Sequence, residues 1–435
     1  MAEKTVAIAT LGCKVNQYES EAIAEALEAV GWEIRGINEV CSAYVINTCT
    51  VTAESDRKAR QTIRRMMSKN PHAYVLVTGC YSQTNPSAVS AISGVDYICG
   101  SANKLSVVER LEDLYKKGEK NTDTEICIPS LDTAEFESMS ITKFDRTRAY
   151  VKIQDGCESH CTYCTIPAAR GPIRSKPMGE VIDEVRGLIR GGCREVVLTG
   201  IETGAYGKDL PEHENLASLL ETIDKLDGIG RVRLGSLDPS IIKPEFVDKI
   251  KNLKSLTPHF HLSMQSGSSA VLASMKRKYN SAQAMRAVSL LRDAFPTLQL
   301  TTDIIVGFPG ESEEDFEQSE RLVENARFLM VHVFPYSKRS GTPAAAMKNQ
   351  IPEDVKHQRV ALLSQKAAAV RCEILDGLVG SEVEVLFESH SGGYAYGHTP
   401  EFIEVKVRSA GDMHAKICRV RLVSHDGTVC EGELI

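Results

Sequence analysis

The chain has 435 residues, 42% hydrophobic and 25% charged, which is enough for about three globular domains with ordinary cores. Its formal net charge of -7 excludes a protein that is basic overall, so any nucleic-acid site must be a local patch. No stretch approaches the roughly 20 apolar residues of a membrane helix, and no signal-peptide pattern opens the chain, so we expect a cytoplasmic protein without a membrane partner.

Residues 1–118 alternate short apolar runs with amphipathic stretches. Residues 17–30 and 53–70 predict helices, and the strand-like runs between the helical stretches are TVAIAT, AYVIN and AYVLVTG. This alternation predicts an N-terminal α/β domain in which helices cover a parallel sheet. Residues 119–147 are polar and irregular, and they predict a linker or an excursion across the surface.

Residues 148–378 repeat a strand and a helix six times and end in a long helical stretch. The strand-like runs are AYVKIQ, EVVLTG, VRLGSL, HFHLSM, LTTDIIVGF and MVHVFPY. The repeats predict a central partial (β/α)6 barrel, with working residues at the C-terminal ends of its strands. Residues 379–435 form short alternating runs between turn signals, which predict a small antiparallel β-barrel.

One run of cysteines gives the strongest local signal. Cys157, Cys161 and Cys164 have the spacing C-x3-C-x2-C directly after a predicted strand. Three thiolates hold three irons of a [4Fe–4S] cluster and leave the fourth iron free to chelate S-adenosylmethionine and pass it an electron. The alternatives are a zinc site or a set of unrelated thiols. Zinc needs a fourth ligand, and His160 is badly placed to share a metal with Cys161.

A second set of cysteines is dispersed along the N-terminal domain. Cys13, Cys49 and Cys80 each follow the end of a predicted strand, and in a parallel sheet those ends meet at one edge. Gly12 and Gly79 would let the backbone turn close to a bulky ligand. The three cysteines therefore predict a second iron–sulfur cluster. The alternative is three buried cysteines that merely end strands.

Several segments together resemble a known family. In chain order they are TLGCKVNQYES, NTCTV, VTGCYSQ, IQDGCESHCTYCTIPAARG, HLSMQSGS and DIIVGFPGE. They resemble the motifs of the methylthiotransferase family of radical S-adenosylmethionine enzymes over essentially the whole chain, and the last domain resembles the RNA-binding TRAM domain. Residues 13–19 are most similar to the branch that modifies N6-threonylcarbamoyladenosine in tRNA. The branches that act on isopentenyladenosine or on a ribosomal-protein aspartate differ there.

The resemblance implies two [4Fe–4S] clusters and two molecules of S-adenosylmethionine. One molecule methylates a sulfur associated with the N-terminal cluster. The other is cleaved at the catalytic cysteines Cys157, Cys161 and Cys164, and the resulting radical acts on carbon 2 of the adenine at tRNA position 37, where methylthio replaces hydrogen. The implied partners are the tRNA anticodon stem-loop and a flavodoxin or ferredoxin as electron donor.

The resemblance also implies a pocket for S-adenosylmethionine. Tyr163 would flank the adenine, and the other family-like positions are Gly200, Glu202, Ser236, Gln265 and Val306. Each of these also fits an ordinary loop or core residue. The sequence departs from the family at three positions: Glu202 replaces a common histidine or asparagine, Gly235 a serine and Ala168 a tyrosine. These departures concern the pocket rather than the cluster.

Basic residues on one predicted helix suggest an RNA contact near the second cysteine set. Arg57, Arg60 and Arg64 are spaced i, i+3, i+7 and share a helix face that follows Cys49. A solvated charged helix is the alternative. Three basic residues follow the loop of Cys157, Cys161 and Cys164, which we call the radical loop. They would bind RNA or form ion pairs with the barrel: Arg170, Arg174 and Lys176.

The C-terminal barrel offers two more basic pairs. Lys406 with Arg408, and Arg419 with Arg421, alternate with other residues, so each pair lies on one strand face. Phe402 and Tyr396 would supply stacking surfaces for bases. Solvated strand faces are again the alternative.

Two other functions remain open. One keeps the radical chemistry but changes the target to isopentenyladenosine in tRNA or to a ribosomal-protein aspartate. The other is a non-catalytic iron–sulfur protein that carries electrons or senses iron.

Overall fold

The computed structural model describes residues 3–144, 147–211 and 214–435. In chain order it contains a six-stranded parallel sheet, the strands of a partial barrel and a closed five-stranded barrel, which confirms the predicted α/β class with its small C-terminal barrel. None of the described helices is long and apolar enough to cross a bilayer.

The first sheet is parallel throughout and has the strand order β2-β1-β3-β4-β5-β6. Every residue of β3 is buried, as expected for a central strand that helices cover on both faces. The elements are β1 (Thr5–Thr10), α1 (Lys14–Ala29), β2 (Glu33–Ile34), β3 (Ala43–Thr48), α2 (Ala53–Lys69), β4 (Tyr74–Gly79), α3 (Cys80–Thr84), α4 (Pro86–Ser90), β5 (Tyr97–Cys99), α5 (Ser106–Lys117) and β6 (Glu125–Cys127).

The sixth strand lies in the segment that the sequence predicts to be a linker. Residues 125–127 pair with β5 at the sheet edge, because even a short polar stretch satisfies its backbone groups by extending a parallel ladder. Further along, Met139 and Ile141 are buried in the hydrophobic core of the central domain. Much of this connection is therefore ordered structure rather than a loose tether.

Six parallel strands form the central partial barrel. The order is β7-β9-β10 and then β11-β12-β13, and two isolated bridges join the halves. The antiparallel strand β8 extends the β7 edge. The elements are β7 (Arg148–Asp155), α6 (Ile166–Arg170), β8 (Arg174–Ser175), α7 (Met178–Arg190), β9 (Glu195–Gly200), α8 (Leu216–Ile223), β10 (Arg231–Leu234), α9 (Pro244–Ile250), β11 (His259–Gln265), α10 (Ser269–Ser274), α11 (Ser281–Ala294), β12 (Gln299–Val306), α12 (Glu313–Ala326), β13 (Met330–Pro335), α13 (Pro343–Ala346) and α14 (Glu353–Asp376).

The last five strands close into a barrel with the order β14-β15-β16-β18-β17. Four of the pairings are antiparallel, but β16 and β18 run parallel, so the barrel is not antiparallel throughout. The parallel pair arises because β17 intervenes between these strands in the chain but lies beyond β18 in the barrel. The strands are β14 (Glu382–Ser391), β15 (Tyr394–His398), β16 (Glu404–Arg408), β17 (Ile417–His425) and β18 (Cys430–Leu434).

Phe402 anchors this barrel to the starting ends of the central strands. Its ring stacks on His259 and on His398, with both centroid distances at 4.7 Å. The guanidinium groups of Arg148 and Arg233 lie 5.2 and 4.9 Å from the ring centroid. The predicted role of Phe402 as a stacking surface for RNA is therefore wrong, because its faces are occupied within the protein.

Candidate functional site

The first cysteine loop begins where β7 ends. Gly156 has a φ of +75°, and a Cβ atom there would lie 1.7 Å from the carbonyl oxygen of Pro172. Only glycine allows the chain to leave the strand at this angle and so close to the following loop. The turn places Cys157 at the C-terminal end of the strand, as the sequence predicts.

Each sulfur of this triad faces one N–H donor. The backbone N–H of Ser159 lies 3.4 Å from the Cys157 sulfur, and that of Ile166 lies 3.4 Å from the Cys164 sulfur. Arg277 Nη1 lies 3.3 Å from the Cys161 sulfur. N–H groups aimed at sulfur stabilise thiolates, as cluster ligands require. The donor set therefore fits a [4Fe–4S] cluster.

Glu202 reaches this loop from the end of β9. Its Oε2 accepts hydrogen bonds from the Cys157 thiol and from Ser159 Oγ, both at 3.1 Å, and its Oε1 pairs with Lys278 at 3.1 Å. Burial and the nearby Glu202 carboxylate raise the pKa of Cys157 to about 12. Glu202 thus touches the cysteine triad itself, whereas the sequence indicates only a place in the S-adenosylmethionine pocket.

The second cysteine triad converges at one edge of the first sheet. Cys49 and Cys80 directly follow β3 and β4, and Cys13 comes three residues after the end of β1; these three strands are adjacent. Burial raises the pKa of Cys49, and the neighbouring thiols of Cys80 and Cys13 add to that rise. The Cys13 side chain is accessible, yet burial raises its pKa too, so it faces a recess within the protein rather than the outer surface.

Two glycines let these strand ends approach each other. A Cβ atom on Gly12 would lie 2.7 Å from the Cys49 Cβ, and one on Gly79 would lie 2.4 Å from the Thr48 carbonyl oxygen. Both glycines have positive φ, +105° and +106°. The sequence predicts that they approach a ligand, but the structure shows that they make room for the neighbouring strand.

The donors in both triads are suited to a cluster rather than to one ion. In residues 3–144, 147–211 and 214–435, no group of three or more His, Cys, Asp or Glu side chains is close enough to hold a single metal ion. In a cubane cluster each cysteine binds a different iron, so the three sulfurs stand further apart than the ligands of one ion. Cys193, the next cysteine in the chain after the loop triad, is buried, and its thiol donates a hydrogen bond to the Glu195 carbonyl.

A cavity of about 280 Å³ is lined by residues that neighbour one cysteine of each triad in the sequence. Thr52, three residues after Cys49, lines one side, and Tyr163, just before Cys164, lines another. Asp303 from β12 is the only carboxylate among its described lining residues. Val51 and Phe334, which are 53% and 46% exposed, add apolar surface. The cavity therefore suits a flat, largely apolar group with some polar edge.

The positions predicted to bind S-adenosylmethionine are distributed unevenly around this cavity. Tyr163 and Gln265 line it, and Gln265 adopts the left-handed backbone region with a φ of +64°. Gly200 lies against Gln154, and Ser236 is exposed on a loop after β10. The Val306 side chain is fully buried in the core, so it contributes packing rather than a cavity wall.

The predicted RNA-binding helix is α2, and its three arginines differ in surroundings. Arg57 is exposed and pairs with Glu54, and Arg64 is also exposed. Arg60 is half-buried, and its Nη1 donates a hydrogen bond to the Tyr81 hydroxyl at 2.8 Å. Arg57 and Arg64 are therefore the members of this group that face solvent.

The basic pairs of the barrel lie on strands that are not neighbours. Lys406 and Arg408 on β16 approach the ring of Tyr394, each at 5.6 Å from its centroid. Arg419 and Arg421 on β17 both pair with Glu382. β18 separates the two pairs, so they form two small basic patches rather than one face.

The basic residues after the radical loop are internal. Arg170, Arg174 and Lys176 are at most 5% exposed. Lys176 pairs with Glu184 at 2.6 Å. The possibility that they hold RNA is therefore wrong, and their pairing within the protein is what the structure shows.

Sequence reasoning missed three residues near the site. Arg277 contacts a triad sulfur, and Asp303 lines the cavity. Lys14 has an accessible side chain, yet burial and the nearby Arg148 and Arg233 lower its pKa, so it too faces an internal space. The basic run Lys-Arg-Lys at 276–278 and the position of Lys14 beside Cys13 were the available signals.

Comparison with known proteins defines the class. The Radical SAM superfamily model matches residues 151–323, and the model of Uncharacterized protein family UPF0004 matches residues 5–100. A solved structure of the radical S-adenosylmethionine methyltransferase TsrM from Kitasatospora setae has the same fold, with a TM-score of 0.58 and 14% identity over 91% of this chain and 77% of that chain. The fold and the cysteine loop thus define a radical S-adenosylmethionine enzyme.

Proteins with higher sequence identity to this chain show to which family within this class it belongs. The threonylcarbamoyladenosine tRNA methylthiotransferase MtaB of Bacillus subtilis is 38% identical over 99% of this chain and 96% of its own length. The tRNA-2-methylthio-N(6)-dimethylallyladenosine synthase of Carboxydothermus hydrogenoformans is 34% identical over 90% of this chain and 89% of its own. The chain belongs to the methylthiotransferase family of radical S-adenosylmethionine enzymes, which use [4Fe–4S] clusters and S-adenosylmethionine.

Proposed function

We propose that this protein attaches a methylthio group to carbon 2 of N6-threonylcarbamoyladenosine at position 37 of tRNA. The observation that carries the proposal is a cavity lined both by Thr52, three residues after Cys49, and by Tyr163, the residue before Cys164. One enzyme can use two clusters on one substrate atom only if both border the same space. The name of a similar protein and the sequence of residues 13–19 support the choice of substrate.

Two sets of cysteines would hold the clusters. Cys157, Cys161 and Cys164 would bind the first, and Cys13, Cys49 and Cys80 the second. When bound, the first cluster would supply the electron for cleavage of one S-adenosylmethionine, and the second would hold the sulfur that another S-adenosylmethionine methylates. A flavodoxin or ferredoxin would deliver the electrons.

The residues of the cavity would position the base. Tyr163 and Phe334 offer ring faces, and Val51 adds an apolar contact at the wall. Asp303 can accept a hydrogen bond from an exocyclic N–H, which a neutral base donates. A base held between rings and a carboxylate is excluded from water and kept in one orientation, which a reaction at one ring carbon requires.

Lys14 favours an anionic target. Its side chain makes no hydrogen bond or ion pair within the described part of the chain. Burial and the nearby Arg148 and Arg233 lower its pKa more than the nearby carboxylates of Glu195 and Asp303 raise it, so a further negatively charged partner would stabilise its charge. The threonylcarbamoyl group carries a carboxylate, whereas the isopentenyl group is a hydrocarbon. We therefore assign Lys14 to the carboxylate of the modified base.

The exposed basic residues would contact the RNA backbone. Arg57 and Arg64 on α2 face solvent beside the second triad, and Arg408 is exposed on the barrel. Their charges are local patches on an acidic protein, so binding should weaken steeply as salt increases.

Nucleoside analysis tests the proposal. In a strain that lacks the gene, we expect 2-methylthio-N6-threonylcarbamoyladenosine to disappear from total tRNA and N6-threonylcarbamoyladenosine to accumulate. An unchanged amount of the methylthio nucleoside would overturn the proposal. Complementation with Lys14→Met should restore at most about a tenth of it, because a charge-assisted hydrogen bond contributes about 1.5–3 kcal/mol. Lys249→Met, an exposed lysine on α9 outside the proposed RNA-binding residues, is the matched control.

A further inference from the structure

A buried group of charged residues joins the first sheet to the central barrel. None of its members is more than 5% exposed. It consists of the carboxylates Glu19 and Asp155 and the cations Lys104, Lys152, Arg170 and Arg174. Glu19 and Lys104 belong to the N-terminal unit, and the others belong to the central one. The group therefore lies across the junction between the two cysteine triads.

The ion pairs of this group are short. Arg170 Nη1 lies 2.6 Å from Glu19 Oε1 and 3.1 Å from Asp155 Oδ2. Lys152 Nζ bridges the same two carboxylates at 2.8 and 2.6 Å, and Lys104 Nζ lies 2.5 Å from Glu19. Glu137 lies close enough to interact with Lys152 as well, so four cations face three carboxylates. Because an unbalanced buried charge is costly, the group needs a further negative partner.

Arg170 brings positive charge from this group into contact with the sulfur of Cys80. Its Nε donates a hydrogen bond to Cys80 Sγ at 3.1 Å, and its Nη2 donates to Asn16 Oδ1 at 2.7 Å. The same guanidinium pairs with Asp155, two residues before Cys157. A single rigid side chain therefore connects a cysteine of the second triad to the strand that carries the first.

We propose that Arg170 is a positioning residue that fixes the second cluster against the radical loop and raises the reduction potential of that cluster. Positive charge and hydrogen bonds at ligand sulfurs favour the reduced, more negative form of an iron–sulfur cluster. This inference rests on the proposed role of Cys13, Cys49 and Cys80 as ligands. It adds electrostatic control of that site by a residue from the other domain.

The test isolates the second cluster. In a Cys157→Ala, Cys161→Ala, Cys164→Ala background, about four irons should remain per chain. The midpoint potential is then measured by redox titration with EPR detection. Arg170→Gln should shift the midpoint potential to more negative values. Arg170→Lys keeps the positive charge but loses the planar array of N–H donors, so it should shift the potential less.

A matched control separates electrostatics from attachment. Arg339→Gln breaks another contact across the same junction, to Asp56 at 2.7 Å and Thr50 Oγ1 at 2.8 Å, without touching a cysteine. It should leave the potential unchanged. An Arg170→Gln protein with full iron and an unshifted potential would show that Arg170 serves attachment alone and would overturn the proposal.

Loss of iron also gives a decisive result. If Arg170→Gln binds no iron, Asp155→Asn decides, because it removes a carboxylate that pairs with Arg170. The potential should then rise, and an unshifted potential overturns the proposal. If the triple-alanine background itself binds no iron, the assignment of Cys13, Cys49 and Cys80 fails, and this inference fails with it. The two failures are distinguished because the background is measured before Arg170 is changed.

Discussion

The two cysteine triads hold their sulfurs in place by different means. Cys157, Cys161 and Cys164 lie within eight residues on one loop, and local backbone N–H groups face two of the three sulfurs. Cys13 and Cys80 are far apart in the chain and meet only because β1, β3 and β4 are adjacent. The first site depends on a loop and the second on a folded sheet, so the same damage to the protein should affect them differently.

Removal of the loop triad should have the largest effect. In Cys157→Ala, Cys161→Ala, Cys164→Ala, we expect iron to fall from about eight to about four per chain and cleavage of S-adenosylmethionine to stop. Iron analysis and assay of 5′-deoxyadenosine check this result. Cys193→Ala, a buried cysteine outside the site, is the control. Continued 5′-deoxyadenosine formation by the triple variant would contradict the assignment.

Removal of the strand-end triad should separate the two activities. In Cys13→Ala, Cys49→Ala, Cys80→Ala, iron should again fall to about four, because one cluster is lost. Cleavage of S-adenosylmethionine should continue, while methylthio transfer to the substrate tRNA stops. Parallel assays of 5′-deoxyadenosine and of modified nucleoside measure this separation. Intact transfer in this variant would show that the three cysteines do not form a second site.

Gly12 tests whether the second site depends on close strand ends. A Cβ atom at Gly12 would lie 2.7 Å from the Cys49 Cβ, whereas one at Gly31 would meet nothing within 4 Å. Both glycines have positive φ, so alanine costs about 1–2 kcal/mol of strain at either position. Only Gly12→Ala should also lower iron, by up to the four irons of one cluster. Equal iron in both variants would contradict this account.

Arg277 is the counterpart of Arg170 at the loop triad. Its Nη1 lies 3.3 Å from the Cys161 sulfur. A hydrogen bond from a charged donor contributes about 1.5–3 kcal/mol, so Arg277→Gln should slow cleavage of S-adenosylmethionine about tenfold or more. Arg292→Gln, whose side chain binds carbonyls on the outside of the barrel, is the control. Equal rates in the two variants would remove Arg277 from the site.

The smallest expected effect is a pH dependence at the junction. Burial alone would raise the pKa of Asp155, but Arg170 and Lys152 lower it to about 2. The pKa of this carboxyl is about 3.9 in the unfolded chain, so its ionisation adds about 2.6 kcal/mol to the free energy of unfolding at pH well above 4. This stabilisation is lost as the pH falls towards 2. Urea midpoints of the iron-free protein at pH 5 and pH 3 should therefore differ less in Asp155→Asn than in wild type. Equal differences would contradict this.

Local patterns predicted much of the fold. The runs TVAIAT and AYVLVTG became β1 and β4 almost residue for residue, because buried parallel strands are nearly continuous apolar runs. The helix at 353–376 was likewise visible in the sequence. β6 was missed because three residues at a sheet edge carry almost no pattern of their own.

Contacts between residues that are distant in the chain could not be predicted from the sequence. Arg170 and Arg277 look like ordinary surface arginines, and only tertiary packing shows that they face cysteine sulfurs. Phe402 follows the same principle, since its aromatic ring is equally suited to a base or to His259. The spacing of the loop triad, in contrast, is local information, so its assignment needed no structure.

The strand β6 also decides where this chain can be shortened. A fragment that stops at residue 118 would leave β5 as a bare sheet edge, with unpaired backbone groups that invite aggregation. A fragment that runs on to residue 147 keeps the edge covered but exposes Met139 and Ile141, which belong to the neighbouring core. The N-terminal and central units therefore share an interface that no single truncation point leaves intact. Either unit expressed alone should aggregate or be poorly soluble.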